Sequence, residues 1–150
     1  ETKVSNGIDD IKIMKNSIIV ISGMGANTMM QILENSQIFL AKKIILQSNN
    51  DLYKLRKYMV KKGYKIEEEI TILDKGKYYV IISFILGNAN YKKLNLLIGP
   101  KIVEYKDKNK EYLYELLKKE KNIYKKIPLK HFVLKLKSYI KIKKIMAVLK

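Results

Sequence analysis

The stretch Ile18 to Leu33, IIVISGMGANTMMQIL, decides the fold. Ile18-Ile19-Val20-Ile21 is a run of β-branched residues, the composition of a buried strand. Ser22-Gly23-Met24-Gly25 then turns the chain, and Ala26 to Leu33 suits a helix. Strand, glycine corner and helix in succession form the unit of an open α/β sheet, where ligands bind beyond the carboxyl ends of the strands. Glycines at 23 and 25 permit a tight turn and let a flat ligand approach bare main chain.

Outward from this stretch the pattern continues. On the amino-terminal side, Lys3-Val4-Ser5-Asn6-Gly7-Ile8 reads as a short strand ending in an Asn-Gly turn, and Ile8 to Met14 as a helical turn. On the carboxyl side, Lys43–Gln47 reads as a buried strand closed by Ser48-Asn49-Asn50-Asp51, with Asn50 or Asp51 as N-cap of a helix through Lys62. Leu52, Leu55, Tyr58 and Met59 give that helix one apolar face, and Gly63 follows its last turn. Ile66–Ile72 and Tyr78–Leu86 flank Asp74-Lys75-Gly76-Lys77 and read as an antiparallel hairpin. The order is strand, helix, strand, helix, hairpin: parallel strands closed by an antiparallel edge.

From Asn90 the composition changes, and two helical segments follow Gly99-Pro100. Tyr112, Leu113, Leu116, Leu117, Ile123 and Tyr124 form the expected apolar face of the first. Leu129, Phe132, Val133, Leu136, Tyr139, Ile140 and Met146 form that of the second, with Pro128 at its start. Two such helices with a short connection pack as an antiparallel hairpin. The expected division is therefore residues 1–89, an α/β domain, and 90–150, a helical coiled-coil hairpin.

Composition narrows the function. A 47% hydrophobic fraction excludes a disordered chain, and zero cysteines exclude disulfides and thiolate metal sites. One histidine argues against a zinc site, so no metal is expected. The apolar run Tyr78–Leu86 is short against the about 20 residues of a membrane span, and a cytoplasmic protein is expected. The net charge of +17 suits a polyanionic partner, most often nucleic acid. An AT-rich genome, which favours Lys, Asn, Ile and Tyr codons, also accounts for the lysines. Composition leaves both open, and position adds one fact: residues 1–100 carry 15 basic and 9 acidic groups, residues 101–150 carry 16 and 5. The excess is concentrated in the tail.

The residues resemble those of the bacterial tRNA (adenine-22-N1)-methyltransferases. The matching stretches are Ser5–Ile8, Ile18–Ala26, Ile45–Asn49, Leu55–Met59 with Gly63-Tyr64, Lys77–Tyr79 and Ile98–Pro100, in order from Ser5 to about Ile102. Each is weak alone; the ordered set is specific. The family usually has glycine where Ala26 stands, an acidic residue near Ser17, proline at Ser48 and tryptophan near Tyr58. The resemblance implies a Rossmann-like class I methyltransferase sheet using S-adenosylmethionine, an appended helical domain that binds tRNA, and a monomer. It also implies that the family's first strand, glycine-rich cofactor loop and ribose-binding acid lie upstream of Glu1. The opening Glu1-Thr2-Lys3, without an initiator Met, agrees with a truncated form that is inactive alone.

Site residues follow from the resemblance. Asn6-Gly7 would lie beside the adenine of the cofactor; a strand-end turn explains the pair equally. Ser22, Gly23, Met24 and Gly25 would form the catalytic loop between methyl donor and target base, with Gly23 and Met24 also against the cofactor. Backbone carbonyls there would accept from the adenine N6 amino group; helix–sheet packing is the alternative reason for the glycines. Gln47 and Asn49, on the same rim, would read a flipped base; capping is the alternative for Asn49. Arg56, the single arginine, would grip phosphate or be a solvated helix residue. Lys118 and Lys125 stand among tail lysines that would track tRNA phosphates or form a solvated face. His131 is expected on a helix surface and Met29-Met30 in the core. Two other functions fit the residues: a non-enzymatic basic RNA-binding module, and a class I methyltransferase with another substrate.

Overall fold

The structure is a computed structural model that describes residues 2–5 and 7–150, with Ser36 described in its backbone alone. The chain divides into two compact units, residues 1–101 and 102–150.

In the first unit β1 (Ile18–Met24) leads into α1 (Ala26–Ile32), a 3₁₀ turn (Ser36–Leu40) and β2 (Lys43–Ser48). Then come α2 (Leu52–Lys61), β3 (Tyr64–Asp74), β4 (Lys77–Leu86) and α3 (Lys93–Ile98), and α4 (Pro100–Glu104) spans the boundary between the two units. Among the described residues four strands form one sheet in the order β1-β2-β4-β3. β1 and β2 are parallel, β4 runs antiparallel to β2, and β3 pairs antiparallel with β4. This is the mixed sheet expected from the sequence. Parallel β1 and β2 need the crossover that α1 supplies, whereas β3 and β4 need only the turn at Lys75-Gly76.

One sheet face carries the core. Ile19 and Ile21 of β1, Ile44 and Leu46 of β2, Ile82 and Phe84 of β4, and Ile66 of β3 are buried. Buried on the helical side are Ala26 and Met29 of α1, Leu55 and Met59 of α2, and Leu96 and Ile98 of α3. Each of these side chains larger than alanine contributes about 1.5–3 kcal/mol on burial. Met29 is a core residue, as its apolar character suggested. Alternate residues of the strands, Ile18, Val20, Ile70 and Ile72, are exposed. Tyr64 is buried, donates its hydroxyl hydrogen bond to the Ile38 carbonyl at 3.1 Å, and stacks on Phe39. Burial pushes its phenol up to about 12.

Two local expectations are corrected. The strand anticipated over Lys3–Ile8 is not one: residues 2–5 have no regular structure and residues 7–10 form a turn. A strand needs a partner for its backbone groups, and no described strand pairs with this segment. The helical turn expected from Ile8 is a single reversal, with Ile11 N–H donating to Ile8 C=O at 3.2 Å.

In the second unit α5 (Lys110–Lys126) and α6 (Phe132–Leu149), joined through a 3₁₀ turn (Leu129–His131), pack antiparallel. Tyr124 lies against Tyr139, and Lys135 donates to Ile127 C=O at 3.0 Å. Glu120 of α5 is buried, and Lys141 of α6 donates to it and pairs with its charge. The stripe expected to be buried on α6 is exposed: Phe132, Val133, Leu136, Tyr139, Ile140 and Met146, with Leu129 ahead of them in the 3₁₀ turn. Ser138, Ile142 and Ile145 are buried instead. α6 is apolar on several sides, so its own periodicity selects no unique face. The partner helix, presenting Glu120, selects the side on which Lys141 can reach it. No helix among the described residues is long and apolar enough to cross a membrane.

Candidate functional site

The corner after β1 is built by a register slip. Ser22 pairs with Gln47 and Met24 with Ser48, so Gly23 is an extra residue with no partner on β2. Such a bulge leaves the inserted residue's backbone groups outside the ladder. Gly23 has φ +78°, the left-handed region that an L side chain adopts at a cost of roughly 1–2 kcal/mol. A Cβ built at this position meets nothing within 4 Å. The glycine is therefore required by conformation, and the space beside it is open.

Side chains from the end of β2 take up the orphaned groups. Gly23 N–H donates to Gln47 Oε1 at 2.9 Å, and Asn49 Nδ2 donates to Gly23 C=O at 2.8 Å. Gln47 Nε2 donates to Asn49 Oδ1 at 3.2 Å, which closes a ring. Met24 C=O accepts from Asn49 N–H at 2.9 Å, while the Ser48 hydroxyl donates its one proton to Asn50 C=O at 2.8 Å. Gly25 C=O is engaged by Met29 N–H of α1.

Gly25 plays a different part from Gly23. Its φ of −79° is open to any residue, and it is the N-cap residue of α1. A Cβ there would lie 3.3 Å from the Asn50 side chain, whose Oδ1 accepts from Ala26 N–H at 3.0 Å. Asn50 thus caps α1 across the corner, whereas the sequence suggested it for α2. The N-cap of α2 is Asp51, with φ +44° and no side-chain capping bond. Beside the cap, Lys54 of α2 donates to Asn27 Oδ1 at 2.6 Å.

The structure brings Ser22, Gly23, Met24 and Gly25 together with Gln47 and Asn49 at the carboxyl ends of the parallel strands. Ser22, Gly23, Met24 and Asn49 are exposed there and Gln47 is half-buried. The amides of Gln47 and Asn49 are turned onto the corner. Gly7 sits elsewhere, in its turn, with φ +70°; a Cβ would come within 2.9 Å of Ile32 Cγ1 of α1. Packing against α1 accounts for this glycine. Asn6, expected beside it at the cofactor, lies outside the described residues.

Arg56 corrects the sequence reading. Its side chain is 1% exposed, and Nε donates to Glu69 Oε1 at 2.6 Å inside the fold. Nη1 donates to Leu96 C=O at 3.3 Å, and Glu69 Oε2 accepts from Lys101 N–H at 3.0 Å. The guanidinium is enclosed and neutralised by a carboxylate, so it is no phosphate fork at the surface. Glu69 was not anticipated. A bulge between Ile66 and Glu68 makes Glu67 the extra residue and turns Glu69 inward, out of phase with simple alternation. Glu67 instead meets Lys43 at 2.7 Å, and this hydrogen bond holds its carboxyl below the usual range.

At the far end of α2, Tyr58 donates to Glu34 at 2.8 Å, and Lys62 pairs with Glu34 at 2.7 Å. The Lys62 and Tyr58 hydrogen bonds lower the Glu34 carboxyl; burial, then Glu34, raises the Tyr58 phenol. In the helical unit Lys118 is exposed 3.4 Å from Glu115, Lys125 is exposed in the last turn of α5, and His131 is exposed.

The chain is similar to a known family and to several known proteins. The family model described as tRNA (adenine(22)-N(1))-methyltransferase matches residues 1–150. The tRNA (adenine(22)-N(1))-methyltransferase of Bacillus subtilis is 30% identical over 116 residues, 72% of this chain and 48% of that protein. A protein of the NADB-Rossmann superfamily from Streptococcus agalactiae superposes with a TM-score of 0.86 at 25% identity, over 99% of this chain and 67% of its own. The structure of M. capricolum TrmK with S-adenosyl-homocysteine, described as the natural cofactor product, has the same fold. It superposes with a TM-score of 0.74 at 21% identity, over 99% of this chain and 69% of its own. The chain spans about half the length of the curated relatives it matches.

Proposed function

We propose, because this chain belongs to the tRNA (adenine(22)-N(1))-methyltransferase family, that its protein methylates N1 of adenine 22 in tRNA with S-adenosylmethionine as donor. The observation that carries this reading is the Gly23 corner. It presents main chain with open space beside it, at the strand ends where α/β folds bind ligands, held in one conformation by side-chain amides.

Bound S-adenosylmethionine supplies a methyl group on a sulfonium sulfur, and the products are N1-methyladenine and S-adenosylhomocysteine. The N1 lone pair of neutral adenine is already nucleophilic, so the protein needs no strong general base. The positive charge of the sulfonium passes to the methylated base, which can release its N6 proton to solvent afterwards. The residues of the corner then act by alignment, an effect worth about 7–11 kcal/mol when the reacting atoms are held in line. Ser22, Gly23, Met24 and Gly25 border the transfer, with Gly23 and Met24 against the donor. The free lone pair of Gly23 C=O is left to meet the N6 amino group.

The lysine-rich unit, residues 102–150, holds the tRNA, with Lys118 and Lys125 among the phosphate contacts. That unit places an uneven share of the basic excess on one helical hairpin. Such a protein works in the cytoplasm with its tRNA substrate. The test is methylation of tRNA transcripts by the intact protein. Incorporation at position 22 is expected with adenine there and is lost with guanine. Undiminished incorporation into the guanine transcript would overturn the assignment of the target.

A further inference from the structure

We propose that Gln47 and Asn49 are positioning residues that hold the Gly23 peptide in its catalytic conformation, rather than residues that read the substrate base. The proposal rests on the methyl-transfer reading of the corner and deepens it.

The argument starts from backbone accounting. The bulge removes Gly23 N–H and C=O from the β1–β2 ladder, and no strand lies on the other side of β1 among the described residues. A left-handed glycine with nothing against its Cα is otherwise free to change conformation. Both orphaned groups are nevertheless bonded, by two side chains that also bond each other.

The direction of each bond is forced. Gly23 N–H can only donate, which places Gln47 Oε1 toward it and Nε2 away. Nε2 must then face an acceptor, Asn49 Oδ1, which leaves Asn49 Nδ2 to donate to Gly23 C=O. One amide orientation satisfies all three bonds, and either flip breaks two. Asn49 N–H adds a bond to Met24 C=O at 2.9 Å, so the same residue fixes consecutive peptides. Glutamine and asparagine two residues apart suit this arrangement. They flank Ser48, so both side chains leave the strand end on one side, and the longer reaches the N–H while the shorter reaches the C=O.

The consequence for the reaction is a separation of kcat from KM. A residue that reads the base loses binding when truncated. A residue that fixes the corner loses alignment, and misplacement on the ångström scale costs up to about 100-fold in rate. In the intact protein, Gln47→Ala and Asn49→Ala are expected to lower kcat about 10- to 100-fold with KM for tRNA within about twofold. Gly23 amide-proton exchange, followed by NMR, should quicken at least about fivefold in Gln47→Ala. Gln47→Glu keeps an acceptor for Gly23 N–H, so it retains the protection and recovers part of kcat. Asn49→Asp loses the donor to Gly23 C=O and stays as impaired as Asn49→Ala.

An unchanged kcat with a raised KM would overturn the proposal in favour of direct base contact. Unchanged Gly23 exchange in folded Gln47→Ala would overturn it outright. A wild-type protein that leaves tRNA unmethylated while Gly23 exchange responds as stated would remove the functional reading and leave the ring standing.

Discussion

Replacing Arg56 by methionine should cost the first unit about 3–5 kcal/mol, the usual penalty for removing one partner of a buried ion pair. The magnitude follows from the surroundings of Glu69. Its side chain is 0% exposed, and its two oxygens meet Arg56 Nε and the Lys101 amide. Methionine fills much of the space of the arginine stem but leaves the carboxylate with a single neutral donor. Against a total stability of about 5–15 kcal/mol this is a large share. With a urea slope of about 2 kcal/mol/M it lowers the unfolding midpoint by about 2 M. Glu69→Gln strands the guanidinium instead and should also be costly. The double variant Arg56→Met/Glu69→Gln buries no charge and keeps an acceptor for Lys101 N–H. It should therefore recover a coupling of about 2–3 kcal/mol in a double-mutant cycle. The assay is urea unfolding followed by circular dichroism, with tRNA affinity measured beside it. A fall of less than about 1 kcal/mol in Arg56→Met, together with weaker and less salt-dependent tRNA binding, would refute the buried pair.

Other consequences can be checked separately. Gly23→Ala should cost about 1–2 kcal/mol through its positive φ with no clash, whereas Gly25→Ala should act by pressing on Asn50 and loosening the cap of α1; thermal melts and amide exchange at Ala26 distinguish the two. Tyr64, pushed up to about 12 against an unfolded value of 10.0, contributes stability that is complete below pH 10 and declines as pH rises toward 12; urea midpoints across that range should fall, and Tyr64→Phe should flatten the decline. Lys118→Gln and Lys125→Gln should each reduce the slope of log affinity for tRNA against log salt by about 1, with cofactor affinity unchanged; filter binding across a salt series checks it.

Much of the fold was legible because its signals are local and agree with one another. β-branched runs marked β1 and β2, the Leu52–Met59 spacing marked α2, and Asp74–Lys77 marked the hairpin turn. The corner itself was legible from Gly23 and Gly25. The roles around it were less so, because they depend on a one-residue register slip that no periodicity announces. That slip decides that Gln47 and Asn49 face the Gly23 peptide. A second slip, at Glu67, turns Glu69 inward and gives Arg56 its buried partner. The buried side of α6 was illegible for another reason. A helix with apolar residues around most of its circumference has several candidate faces, and the choice lies with Glu120 on the neighbouring helix.

The central claim is that the purine and its methyl donor meet at the Gly23 corner. The most direct measurement labels the glycines of the intact protein with ¹⁵N and follows their amide signals during titration with S-adenosylhomocysteine and then tRNA. Among the 7 glycines of this chain, Gly23 and Gly25 should shift, while Gly63, behind α2, and Gly76, in the hairpin turn, stay in place. Signals of Gly23 and Gly25 that remain still while both ligands bind would contradict the claim.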